Sequence, residues 1–384
     1  NVYFASPWIR LLPKQSITIF YTYNMNVKNL TLFSLFLMLW STANAQLMEA
    51  KSLFAKADSL RGQLTPLRSC YDILYYHLDV TVNIEDKHIA GSNLFKFKAV
   101  SAFQKLQFDL FDNLAVDRVE YKGKNLPFTR SYNAVFVDFP EEIQIGKIDS
   151  FTVYYAGHPL QATRAPWDGG FDWKKDSQGK PWVATSCQGL GASVWWPNKD
   201  HQSDEVDSML ISVAVPNGLM NISNGRLVKT EKLKNKYTKY HRKVVNPINN
   251  YNVALNIGDY THLRDSYPGE EGNLDLDFYV LKENKGKIEH LRTNAKNTLI
   301  AFEHWFGPYP FYEDGYKLVE KAHLGMEHQS GIAYGNKFQN GYLGKDGSGT
   351  GWRLKWDFIV VHESGHEWFG NNITAKDLAD MWIH

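Results

Sequence analysis

Between Tyr71 and about Tyr260 apolar residues recur at every second position, and this limits the possible folds more than any other feature of the chain. In "YHLDVTVNI", Leu78, Val80, Val82 and Ile84 alternate with Asp79, Thr81 and Asn83. A period of two sends alternate side chains to opposite faces, so the segment predicts a half-buried strand. "EDKHIAG" turns the chain into "SNLFKFKAV", a hairpin partner. "LQFDLF", "AVFVDF", "SFTVYYAG", "MLISVAVP" and "NYNVALNIG" repeat the texture between turn-rich segments. Strands in such succession predict an antiparallel β-sandwich or saddle-shaped domain of about 200 residues.

After "SYPGEEG" the texture changes. "LDLDFYVL" and "YKLVE" read as strands, and "AHLGMEHQSGIAYG" begins extended. "NKGKIEHLRTNAKNTLIAFEHWFG" predicts a helix with Ile288, Leu291, Ala295, Leu299 and Phe302 on one stripe. "NGYLGKDGSGTGW" is a glycine-rich loop, but not a phosphate loop, because Gly344-Lys345 is followed by Asp346 rather than Ser or Thr. The expected fold class is α+β and multidomain, with a β-domain over 46–265 and a second domain over 266–384.

The first residue is Asn1 and the earliest methionine is Met25. From Met25, "MNVKN" supplies a basic start, Leu30 to Trp40 an apolar run, and Ala43-Asn44-Ala45 a small-x-small cleavage site. Residues 25–45 therefore predict a signal peptide and residues 1–24 a non-native leader. The run is too short to span a bilayer, so an exported, periplasmic or secreted protein without a stable membrane anchor is expected. Cys70 and Cys187 are the two cysteines, too few for a disulfide scaffold. Lys and Arg total 42 against 41 Asp and Glu, a balance that gives no general attraction to nucleic acid.

"RLKWDFIVVHESGHEWF", Arg353 to Phe369, suits a helix stopped by Gly370-Asn371. His362 and His366 are four residues apart, so both imidazoles project from one face and can share a metal ion. Glu363 is placed to act on a metal-bound water, whose pKa zinc lowers to about 7. Gly365 mid-helix suggests close packing against a neighbour. H-E-x-x-H alone is short enough to arise on an ordinary helix, so context matters. Thr374 and Asp377 resemble a capping box, which predicts a second helix from about Ala375 running back beside the first.

With "HESGHEWFGN" the sequence resembles the aminopeptidase N family of zinc metallopeptidases, the gluzincin aminopeptidases. Glu367 stands where Gln is common. The family spacing places a third, glutamate ligand eighteen residues after the second histidine, one position past His384. "DMWIH" is similar to the stretch just before that ligand, with His384 in place of Asn. "LGMEH", Leu324 to His328, resembles the family's G-x-M-E-N motif, with Leu324 and His328 replacing Gly and Asn. "SCQGLGASVWWPNKDHQSD" is similar to a third landmark. The resemblance implies a thermolysin-like catalytic domain, one zinc ion held by His362 and His366, and Glu363 as the catalytic carboxylate. It further implies Glu327 and Gln188 at the substrate's amino end, with Gly325 and Met326 lining the peptide. The implied substrates are peptides with a free N-terminus, and the oxyanion-binding tyrosine of the family lies beyond this chain. The chain is thus expected to be an N-terminal fragment that ends inside the active site. Two alternatives stay open: a thermolysin-type endopeptidase, which an ammonium anchor at Glu327 argues against, and a non-catalytic peptide binder, which an intact His362, Glu363 and His366 argue against.

Overall fold

The computed structural model describes residues 54–384, and the expected leader and signal peptide lie outside the described residues. Ala55–His384 forms one compact unit. The strands expected from the alternation are present, except that "NYNVALNIG" forms a 3-10 turn, Asn250–Asn252, and only a three-residue strand, Asn256–Gly258. Tyr71–Asn83 pairs antiparallel with His88–Ala99, from Tyr71 opposite Ala99 to Asn83 opposite His88. The eight-stranded sheet runs in the order Arg226–Lys232, Tyr237–Val244, Met209–Pro216, Tyr71–Asn83, His88–Ala99, Ile148–Gly157, Leu114–Tyr121, Lys124–Leu126. Its pairings are antiparallel with one exception. Tyr71–Asn83 and Met209–Pro216 run parallel, from Tyr76 opposite Met209 to Thr81 opposite Ala214.

A three-stranded sheet (Phe103–Asp109, Ala134–Ile143, Phe128–Ser131) and a four-stranded sheet (Met220–Ile222, Asn256–Gly258, Pro181–Ser186, Gly170–Lys175) share one core with the eight-stranded sheet. Inward aromatic residues fill it. Phe95 stacks on Phe151 with centroids 4.6 Å apart, and Tyr76 meets Phe95 and Trp196 edge-on at 5.0 and 5.2 Å. Such pairs add directional attraction to the burial of large apolar surfaces.

From Tyr260 a five-stranded mixed sheet follows, ordered Tyr260–Gly269, Gly272–Leu281, Tyr316–Glu320, Ile332–Tyr334, Gly325–Met326. Two helices pack against it around a second core. In the long helix Ile288–Phe306, Leu291, Ala295 and Leu299 are buried and Ile288 and Phe302 half-buried, as the stripe requires. Its first expected turn is a separate 3-10 segment, Lys282–Lys287.

The helix bearing the two histidines spans Phe358–Trp368 and does not begin at Arg353. Asp357 sets the start: its carboxylate accepts from the Ile359 and Val360 amides at 3.0 and 3.3 Å, satisfying donors that a first turn leaves unpaired. The same buried carboxylate accepts from the Tyr334 hydroxyl at 2.7 Å, Asn336 Nδ2 at 2.8 Å and lies 2.8 Å from His290 Nε2. One residue thereby ties the helix to the sheet and to the long helix. The helix expected from Ala375 does not form. Asp377 acts as a cap itself, accepting from the Ala379 amide at 2.9 Å, and a 3-10 segment Leu378–Ile383 follows.

Candidate active site

The helix period brings His362 and His366 together, with ring centroids 4.8 Å apart. Ligand atoms of His362, Glu363 and His366 lie within 4.8 Å of one another, the one such metal-competent group found among the described residues. Phe358 stacks on His362 at 5.5 Å and 15°. His366 Nδ1 lies 3.0 Å from the Phe369 carbonyl oxygen, which can only accept, so the proton sits on Nδ1 and the lone pair on Nε2. His362 is exposed at the cavity surface, but partial desolvation, followed by the charge of His366, lowers its pKa, and burial lowers that of the half-buried His366, so both favour the neutral form that a metal requires.

Glu363 is buried, and burial together with the charge of Glu327 pushes its carboxyl well above the usual range, against the opposing charge of Lys321. Gly325 is what lets it sit there. A Cβ at Gly325 would overlap Glu363 Oε1 and come within 2.9 Å of Ile359 Cγ2. Gly365, by contrast, has only Phe302 near it, at 3.4 Å from a would-be Cβ, so ordinary contact rather than forced close packing surrounds it.

Gly325–Met326 is the outermost strand of its sheet, paired on one side with Ile332–Tyr334. Glu327 follows it, buried, its Oε1 accepting from Gln188 Nε2 at 2.8 Å and lying 3.0 Å from His384 Nε2. Burial alone would raise Glu327, but the hydrogen bond from His384 and the charges of His366 and His384 hold it below the ordinary carboxylate range. Gln188, His362, Glu363, His366, Gly325, Met326 and Glu327 all line one cavity of about 640 Å³. Trp167, Leu324, Tyr342 and Phe358 give that cavity an apolar wall.

Sequence reasoning missed the groups that hold these side chains. Asn371 Nδ2 donates to the Glu327 carbonyl at 2.7 Å, and Asn371 Oδ1 accepts from Asn252 Nδ2 at 2.9 Å. Glu367, in the place of the common Gln, is fully buried and accepts from the Tyr309 hydroxyl at 2.6 Å and the Ser330 amide at 3.1 Å. His328, in the place of the common Asn, receives Lys321 Nζ at 3.0 Å. The only sequence hint was that Asn371, Glu367 and His328 fall inside the quoted motifs.

Residues 73–248 match the Peptidase M1 N-terminal domain. Among curated proteins, the chain is 26% identical over 208 residues to a leucyl aminopeptidase of Saccharolobus solfataricus, covering 53% of this chain and 25% of the relative. It is 22% identical over 279 residues to probable aminopeptidase 2 of Sulfurisphaera tokodaii, covering 71% and 32%. The chain thus spans a quarter to a third of the length of these relatives. Among solved structures, an M1 zinc metallopeptidase from Deinococcus radiodurans superposes with a TM-score of 0.65 at 19% identity, over 84% of this chain and 68% of that one. A mutant of the same enzyme bound to a Tyr-Ser-Ala substrate gives 0.62 at 19% identity, over 82% and 68%. Residues 73–248 are thus a Peptidase M1 N-terminal domain, and the chain is similar to aminopeptidases and shares the fold of M1 zinc metallopeptidases.

Proposed function

We propose that the protein belongs to a zinc-dependent aminopeptidase that removes residues one at a time from peptides with a free N-terminus. The observation that carries this reading is the buried Glu327 carboxylate, at the end of an edge strand and in the same cavity as His362, Glu363 and His366. An extended peptide can add to that edge through backbone hydrogen bonds. Its α-ammonium then pairs with Glu327, and Gln188 fixes the carboxylate from the opposite wall. The first peptide bond is thereby placed near Glu363.

The donor set fits zinc: two neutral imidazoles on one helix face, one with its tautomer fixed by Phe369. His362 and His366 would hold the ion, together with the acidic residue that the resemblance places after His384. When bound, zinc supplies Lewis acidity that makes water nucleophilic near neutral pH. Glu363 takes the proton of the attacking water as its oxygen bonds the carbonyl carbon, and returns a proton to the amine as the C–N bond breaks.

The polypeptide through His384 offers two imidazoles without the acidic ligand. On its own it should bind zinc weakly and turn over negligibly, and extension through that ligand and the remaining catalytic domain should restore both. We also place the mature protein outside the cytoplasm, on the strength of the segment Met25–Ala45. The direct test compares free and N-acetylated peptides, with and without a chelator, on the extended enzyme. Chelator-sensitive release from free peptides only is expected. Equal cleavage of acetylated peptides would instead support an endopeptidase.

A further inference from the structure

A second concave site lies where two sheet edges meet. Arg226 sits on the edge strand Arg226–Lys232 of the eight-stranded sheet, and Arg242 on its neighbour Tyr237–Val244. His262 and Arg264 sit on Tyr260–Gly269, the outer strand of the five-stranded sheet, with Asp277 and Tyr279 on the strand beside it. These six side chains line a groove of about 210 Å³ that shares no lining residue with the cavity around His362.

The charges in this groove are unequally answered. Arg226 pairs with Asp275. Asp277 lies 2.6 Å from His262 Nε2 and 3.6 Å from Arg264 Nε. Arg242 is 2% exposed, and no carboxylate among the described residues pairs with it. Its Nη1 donates to the Gly225 carbonyl at 3.3 Å and its Nη2 to the Tyr279 hydroxyl at 3.2 Å, while Nε has no partner. A guanidinium keeps its charge under all ordinary conditions, and a buried charge without a counter-charge is costly.

Lys317, on Tyr316–Glu320, is a second buried cation in the neighbourhood, and its Nζ donates to the Asp314 carbonyl at 3.1 Å. Burial, and after it the charge of Arg242, pushes Lys317 down to about 7. Lysine can shed its proton in response. Arginine cannot, so Arg242 remains the charge that calls for an anion.

We propose that this groove binds a small oxyanion of the phosphate or sulfate class, held by Arg242 with Arg226 and Arg264 beside it. The planar guanidinium fork matches such oxygens, and charge-assisted hydrogen bonds would satisfy the free Nε. This site is independent of peptide hydrolysis.

The test titrates inorganic phosphate, sulfate and glycerol phosphate into the full chain, following melting temperature and binding heat. Sodium chloride at matched ionic strength is the control. Phosphate or sulfate should stabilise saturably beyond chloride, and Arg242→Met and Arg264→Ala should each weaken binding by about tenfold or more. Tighter binding of glycerol phosphate than of inorganic phosphate would assign the occupant as an esterified phosphate, and the reverse order as the free ion. Should Arg242→Met fail to fold, Arg264→Ala still decides, because the Arg264 side chain is 69% exposed. Oxyanions acting no more strongly than chloride, or undiminished binding in Arg264→Ala, would overturn the proposal.

Discussion

The cleft around His362 and the groove around Arg242 bury charge of opposite sign. The cleft encloses two carboxylates, Glu327 and Glu363, and the groove's inner wall encloses a guanidinium near an ammonium. In the cleft the two acids diverge: Glu327 has donors and is held ionised, while Glu363 has none of its own and is pushed towards its neutral form. Near the groove the two cations diverge in the same manner, with Lys317 yielding and Arg242 unable to. Burial therefore sorts like charges into one that persists and one that exchanges a proton. In the proposed function the persistent acid of the cleft recognises the substrate and the yielding one transfers a proton, and the proposed anion site rests likewise on the cation that persists.

The comparison can be broken at either acid. Glu363→Gln in the extended enzyme should lower kcat by roughly 10²–10⁴-fold with KM little changed, measured by release of N-terminal amino acids. A mutant retaining kcat would remove Glu363 from the chemistry. Glu327→Ala should lower kcat/KM for free peptides by roughly 10²-fold or more, since it deletes one partner of a buried ion pair. Its loss should exceed any change with acetylated peptides, and equal losses on both would unseat the ammonium role. Gly325→Ala should reduce kcat by about tenfold or more by displacing Glu363, with the zinc content of the protein unchanged. Loss of zinc along with activity would instead point to a helix shift.

A smaller effect concerns Glu320, which accepts from the Leu281 amide at 2.7 Å and from Asn284 Nδ2 at 2.6 Å. Burial pushes it up to about 7, against these hydrogen bonds. The folded form therefore keeps a proton that the unfolded chain releases near its ordinary value of about 4.3. Stability from this group is full below that value and lost as pH rises to about 7. Glu320→Gln should flatten the decline over this interval by about 1–3 kcal/mol, read from denaturant melts at several pH values. An unchanged pH profile would show that Glu320 ionises freely in the fold.

The strands were legible because alternation is local: Leu78, Val80 and Val82 face inward whatever lies opposite them. His362 and His366 were legible for the same reason, through a four-residue spacing. The start of their helix is hidden in the sequence because Leu354 and Trp356 continue an apolar spacing upstream and no Gly or Pro breaks the run from Arg353. Asp357 decided the start by collecting donors from Tyr334, Asn336 and His290, three residues distant in sequence. The meeting of Gln188 with Glu327 was expected only through resemblance, since no periodicity links the β-domain to the edge strand. Arg242 carried no sequence signal at all. Its surroundings arise where two sheets adjoin, and composition near neutrality hides a local excess of either sign.

The single parallel ladder in the eight-stranded sheet has a consequence for biosynthesis. Tyr71–Asn83 gains its antiparallel neighbour as soon as the hairpin emerges, but its other edge waits for Met209–Pro216. At ordinary translation rates that delay is on the order of ten seconds. For that interval an apolar strand stands with unpaired amides and carbonyls along one side, the geometry that invites association with other nascent chains. The step most exposed to chaperones or aggregation is therefore closure of the β-domain, well before any catalytic residue has been made.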